Sequence, residues 1–253
     1  MSDRAGELLA TALPYWEAEA EIARRFFAAN PTKDDHLFWL RAQLWKELNP
    51  VDGYFNGIHR ELAGLVEMFP RVEKDVDRHH FAFLMRQMVE EFQHYVMFAD
   101  ILEYITGRKL DAELVQLPEE RRLGELRRSY AGSGSPLDRA AVLLTEGGGA
   151  RLFREGAKVT GGPLEDMIAA AMRTIYEDEK DHVREAAREA ASVIATPADA
   201  ERMKAAIVAV SRQRVAMRRE MFKAPMDWPE IDAFLAGVAR DVAAGRYREA
   251  IAA

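Results

Sequence analysis

Apolar residues recur at spacings of three and four along almost the whole chain, and only a few clusters of proline, glycine and asparagine interrupt them. A chain patterned this way buries its apolar stripes helix against helix, so the expected fold class is all-α. The breakers delimit the helices. One is expected from about Pro14 to Ala29, ending at Asn30 and Pro31. A second follows from the Asp34/Asp35 cap to Leu48, and a third from Val51 to Phe69, closed by Pro70. Asp75 or Asp77 caps a long fourth helix that ends at Gly107. Residues 108–135 read as a polar crossover carrying a short helix, and Ser135-Pro136-Leu137-Asp138 opens a helix to about Thr160. Gly161, Gly162 and Pro163 turn the chain into a long helix to Ala195. Thr196-Pro197 and Asp227-Trp228-Pro229 then open the last two.

The 253 residues carry no linker-like segment, which points to a single helical domain over 1–253. A four-helix bundle is expected at about 51–195, with accessory helices at 14–48 and 196–246. Lys and Arg total 35 against 42 Asp and Glu, a net charge of −7. No net basic field draws the chain onto nucleic acid or an anionic membrane. No run of about eighteen apolar residues occurs, and residues 1–7 lack the charged-then-apolar plan of a signal peptide, so a cytoplasmic, soluble protein is expected. Cysteine is absent, which excludes disulfides, thiol catalysis and Cys-ligated metals. A metal site must therefore be built from histidine and carboxylates.

Two segments offer such a site. Glu91 and His94, and likewise Glu179 and His182, stand at i and i+3, each pair on one helix face. Either pair alone matches two solvated helical ion pairs equally well. Both, however, lie on apolar stripes, among Leu84, Met88, Phe98 and Leu102 in one helix and Ile168, Met172, Ile175 and Ala186 in the other. A buried acid needs a partner. Each pair also follows another acid, Glu90 or Asp178, which can reach the histidine of the facing helix and fix its ring.

Hairpin geometry supplies further candidates, because residues at one height in an antiparallel pair lie equally far from the turn. Glu146 mirrors Glu179 about the Gly161–Pro163 turn, and Glu61 mirrors Glu91 about Asp75–Asp77. Glu47 mirrors Glu91 about a point beside Pro70. The favoured six ligands are Glu61, Glu91, His94, Glu146, Glu179 and His182.

Four carboxylates and two imidazoles of this kind resemble the ligand set of the ferritin-like di-metal carboxylate superfamily, whose bundles carry a long crossover between the second and third helices. The resemblance covers about residues 51–190. Glu61 is preferred to Glu47, which would need an uncommonly long separation for this family and a helix unbroken by Pro50. The local patterns, Phe98 four residues after His94 included, look most like ribonucleotide reductase small subunits and the ligand-binding oxidases related to them. Phe98 stands where many reductase subunits place a radical tyrosine, which argues against a tyrosyl-radical subunit.

The resemblance implies two iron ions, or a Mn/Fe pair, in an O2-dependent oxidase or oxygenase acting on a small organic substrate. An electron donor and a homodimer are admitted as partners. The competing readings are a ferroxidase of the same chemistry and a metal-free helical interaction module. Gly147, Gly148 and Gly149 each cost roughly 0.8–1 kcal/mol against alanine in a helix. They are expected to permit a π-bulge or to leave room, with Phe98, for dioxygen and substrate, close helix packing being the alternative. If position 147 is helical, Gly147→Ala should raise stability.

Overall fold

The computed structural model describes residues 3–50, 57–110 and 114–247, apart from the side chains of residues 3 and 181–184. The described residues are helical throughout, with no strand. Ten helices follow in order: α1 (Asp3–Ala28), α2 (Lys33–Leu48), α3 (Ile58–Met68), α4 (Arg78–Thr106), α5 (Pro118–Ala131), α6 (Pro136–Leu144), α7 (Gly147–Gly156), α8 (Pro163–Ser192), α9 (Pro197–Met221) and α10 (Trp228–Ala243). None is long and apolar enough to cross a membrane.

The ends follow local chemistry. Thr32 and Asp35 form a reciprocal capping box at α2, and Thr196 and Asp199 form another at α9. Asp77 accepts from the His79 and His80 amides at the start of α4, and Gly107 ends that helix at φ 70, a left-handed conformation that glycine adopts without a Cβ clash.

Two expectations about boundaries are corrected. α1 begins at Asp3 and runs through Pro14 instead of starting there. The lost backbone bond is offset by burial on both sides of the proline, where Leu8, Leu9, Ala12, Leu13 and Trp16 are in the core. The helix expected from Ser135 to Thr160 is two, α6 and α7, broken at Thr145 and Glu146. There the Glu146 amide bonds to the Leu143 carbonyl and the Gly149 amide to the Glu146 carbonyl, both i to i−3. The chain is tightened at this point; a π-bulge would widen it.

α1 packs on α7, α9, α10 and α8, while α2 packs along α4 and α4 along α8. The N-terminal helices thus form the core together with the later ones. One apolar cluster gathers Ile22, Trp39, Phe98, Phe153, Met172 and Phe222. A second gathers Leu8, Leu13, Trp16, Ala187 and Ile207. α1, α8 and α9 each send one half into one cluster and the other half into the second, and in α8 the charged pair Asp178 and Glu179 falls between the halves.

α3 packs against α4, but of its apolar residues Leu65 alone is buried. Leu62 is 47% and Phe69 65% exposed. The helix facing α4 across the core is α2, with Trp39 edge-on to Phe98 at 5.7 Å between ring centroids. Trp39–Phe98 and Glu47–Glu91 share nearly the same midpoint, close to Pro70, so one antiparallel register holds along α2 and α4.

The three glycines are explained mainly by packing. A Cβ on Gly147 would lie 2.6 Å from the Trp16 ring, and one on Gly148 1.9 Å from Glu19 Oε1. On Gly149 it would meet Arg214 Nη2 at 3.3 Å and the Phe153 ring at 3.8 Å. The expected gain from Gly147→Ala is therefore reversed. Gly148→Ala should cost about 1–3 kcal/mol, as overpacking of a filled core does. The melting temperature should fall by at least about 2 °C, with a smaller change for Gly149→Ala, checked by thermal denaturation of both variants.

Candidate metal centre

Glu47, near the end of α2, and Glu91 and His94, one turn apart on α4, bring one ligand atom each to within 4.8 Å of one another. Two ligands bound to one ion at about 2.1 Å are at most about 4.2 Å apart, so small side-chain rotations close this set around a cation. Two carboxylates and an imidazole suit Fe(II), Mn(II) or Zn(II).

The ligand atoms are held from behind. Gln43, one turn before Glu47, donates from Nε2 to Glu47 Oε1, and Gln43 Oε1 accepts from Arg218 Nη1 at 2.8 Å. Across the helices, His94 Nε2 lies 3.2 Å from Asp178 Oδ2, and Nδ1 lies 3.9 Å from Glu91 Oε2. With Nε2 donating to Asp178, the lone pair on Nδ1 faces the two glutamates.

These residues line a cavity of about 590 Å³. Glu90, Glu146, Gly149 and Glu179 border it too, as does the exposed His80, and Leu84, Leu143 and Phe153 supply apolar wall. Among the described residues seven glutamates border the cavity against four cationic side chains, Lys46, Arg86, Arg127 and Arg218. Such an acidic lining favours a bound cation.

The structure redistributes the sequence-derived ligands. Glu61 is not among the described residues of the cavity wall, and Glu47 stands where it was expected, because α3 also packs on α4 but α2 is the helix that faces α4 across the core. Glu146 is in the wall, but Arg127 Nη2 donates to its Oε1 and Arg214 Nη1 to its Oε2, at 2.9 Å. Both oxygens are taken by guanidinium groups. Glu179 shares the cavity with Glu91, and the side chain of His182 lies outside the described residues. Phe98 is not in the wall. It is fully buried behind Phe153, with ring centroids 6.3 Å apart. Of the three glycines only Gly149 borders the cavity.

Sequence reasoning passed over the network that anchors these groups. Glu19 of α1, wholly buried, accepts from Arg214 Nε at 2.7 Å, Arg214 Nη2 at 3.1 Å and Arg218 Nε at 3.1 Å. Arg214 and Arg218 stand at i and i+4 on the apolar stripe of α9, between Val210 and Met221, and Glu19 stands on that of α1. Two arginines on an apolar stripe were the available signal, since such groups are buried only when paired. Burial opposes the charge on Arg214, yet Glu19 and Glu146 raise its pKa above the ordinary value. Burial pushes Arg218 down in spite of Glu19.

No family model matches the chain, and no curated protein or solved structure matches it.

Burial alone would raise the Glu146 carboxyl, but Arg127, Arg214 and Lys46 hold it down to about 2. A depressed carboxyl stabilises the fold above its unfolded pKa, and that contribution is lost as pH falls through the folded value. Glu146→Gln should therefore cost about 3 kcal/mol at neutral pH, as breaking a buried pair does. The gap from wild type should narrow below the ordinary glutamate value of 4.5 and close near 2. Denaturant titrations of both proteins at pH 7, 4 and 2.5 check this.

Proposed function

We propose that the chain is a non-haem transition-metal oxidoreductase, an O2-dependent oxidase or oxygenase acting on a small organic substrate. In this reading the fold is of the ferritin-like di-metal type, with α2 in the place that sequence reasoning gave to α3. The observation that carries it is the convergence of Glu47, Glu91 and His94 in the wall of a cavity large enough for a small molecule. Glu179 is the described residue of α8 that extends the set toward a second ion.

When bound, iron or a Mn/Fe pair supplies the capacity to activate dioxygen. The protein does the rest. Gln43, fixed by Arg218, holds one oxygen of Glu47 and leaves the other for the ion. Asp178 is a positioning residue that sets which ring nitrogen of His94 faces the site. Leu84, Leu143 and Phe153 keep apolar surface beside it, which limits water around a bound substrate.

Elemental analysis of Fe(II)-loaded protein tests the reading. At least one ion per chain is expected, lost in Glu47→Ala and His94→Ala and retained in Glu61→Ala. Asp178→Ala should weaken metal affinity roughly 10–100-fold without unfolding the chain. Fe(II)-loaded protein should consume O2 faster than the His94→Ala variant. Less than about one ion per chain, unchanged by His94→Ala, would overturn the proposal.

A further inference from the structure

Lys46 is only 9% exposed and lines the cavity beside Glu47, yet its ammonium makes no hydrogen bond or ion pair among the described residues. Lys46 acts electrostatically on Glu146. Both oxygens of that carboxylate already accept from Arg127 and Arg214. Glu19, the other anion of the network, is likewise taken by Arg214 and Arg218. Glu120 is buried close to Arg218 and adds a third anion. Among the described residues Arg127, Arg214 and Arg218 each pair with a carboxylate, and Lys46, in the cavity wall, is the cation of this group that does not. A lysine ordered and almost buried without an anion costs free energy that a bound anion would offset.

A second polar group is orphaned in the same wall. Gln87 Oε1 is buried without a hydrogen-bond partner, and Gln87 stands one turn before Glu91 on the same face of α4. A buried acceptor with no donor loses its hydration for nothing unless a ligand supplies an O–H or N–H.

We propose that the cavity binds a small organic acid carrying a hydroxyl or amino group, its carboxylate on Lys46, its donor on the Gln87 amide and its apolar body against Leu84, Leu143 and Phe153. This names the substrate class for the function proposed above and rests on that reading for its chemistry, though binding itself does not require the metal reading to hold. Lys46 Nζ is a compact charge on a flexible stem and suits a single carboxylate.

The probes are 3-phenyllactate and phenylalanine, 3-phenylpropionate as the acid without the donor, and the methyl ester of each, titrated by calorimetry into wild-type protein, Lys46→Met, Lys46→Arg and Gln87→Leu. Metal content and thermal stability are measured on every sample. In wild type each acid should bind about ten-fold or more tightly than its ester, as a charge-assisted hydrogen bond requires. Lys46→Met should abolish that difference and Lys46→Arg should keep part of it. Gln87→Leu should remove the preference for the hydroxyl and amino acids over 3-phenylpropionate.

The acid–ester comparison in wild type needs no variant, so a variant that fails to fold does not shield the proposal. Equal binding of acid and ester, or no binding of any acid at millimolar concentration, overturns it. A Gln87→Leu protein that keeps the preference overturns the role of Gln87. Metal bound with acid and ester indistinguishable removes this site and leaves the oxidoreductase reading. Acid preference in a chain that binds no metal does the reverse.

Discussion

Glu19 has no exposure to solvent, and it accepts three hydrogen bonds from two arginines that are equally buried. Charges in such a place are retained only when paired, and losing one partner of a buried pair costs about 3–5 kcal/mol. Four elements are fixed by this one carboxylate. α1 supplies it and α9 supplies both arginines. Arg214 reaches on to Glu146 between α6 and α7, and Arg218 reaches Gln43 of α2. α7 must also come close enough to leave no room for a side chain at Gly148, whose Cβ would overlap Glu19.

The network and the candidate metal centre are parts of one polar layer. Gln43 is the member that touches Glu47, so the position of that carboxylate is set through Arg218 by a carboxylate on α1. A ligand carboxylate held this way has its rotamer chosen before any cation arrives. His94 receives the same treatment from the other side, through Asp178 on α8. His94 is supported from another helix directly, and Gln43, on the same helix as Glu47, is itself held by Arg218 of α9, so the centre depends on packing across the layer and not on any single helix.

Charge divides the cavity. Glu47 and Glu91 stand with His94 where a cation would sit, while Arg127 and Arg214 meet Glu146 and Lys46 acts on it electrostatically. Glu146 belongs to that second group. The two guanidiniums that hold its carboxyl near 2 make it the counter-ion of the arginines, and its inward place on the hairpin is the reason both readings of it were available. The same carboxylate type thus has two uses a few residues apart in space, and the neighbouring cations decide which.

The sequence by itself determined the helical class, the caps at Asp77, Thr196 and Asp227, the stop at Gly107, and the inward position of Glu91 and His94, because each depends on spacing or backbone chemistry within one or two turns; the cap of α2 is Thr32 and not the expected Asp34 or Asp35. Mirror symmetry about a turn brought Glu146 and Glu179 to one cavity, since α7 and α8 form a close hairpin whose turn is marked by glycine and proline. The same rule left both Glu47 and Glu61 as mirrors of Glu91, and symmetry cannot say which of two preceding helices crosses the core. Tertiary packing decided for α2, whose Trp39 fills the space against Phe98 and Phe222. It also decided that Glu146 faces arginines from α5 and α9, 19 and 68 residues away. Contacts over such separations leave no periodic trace in the chain, because which stripe meets which is a property of the assembled helices.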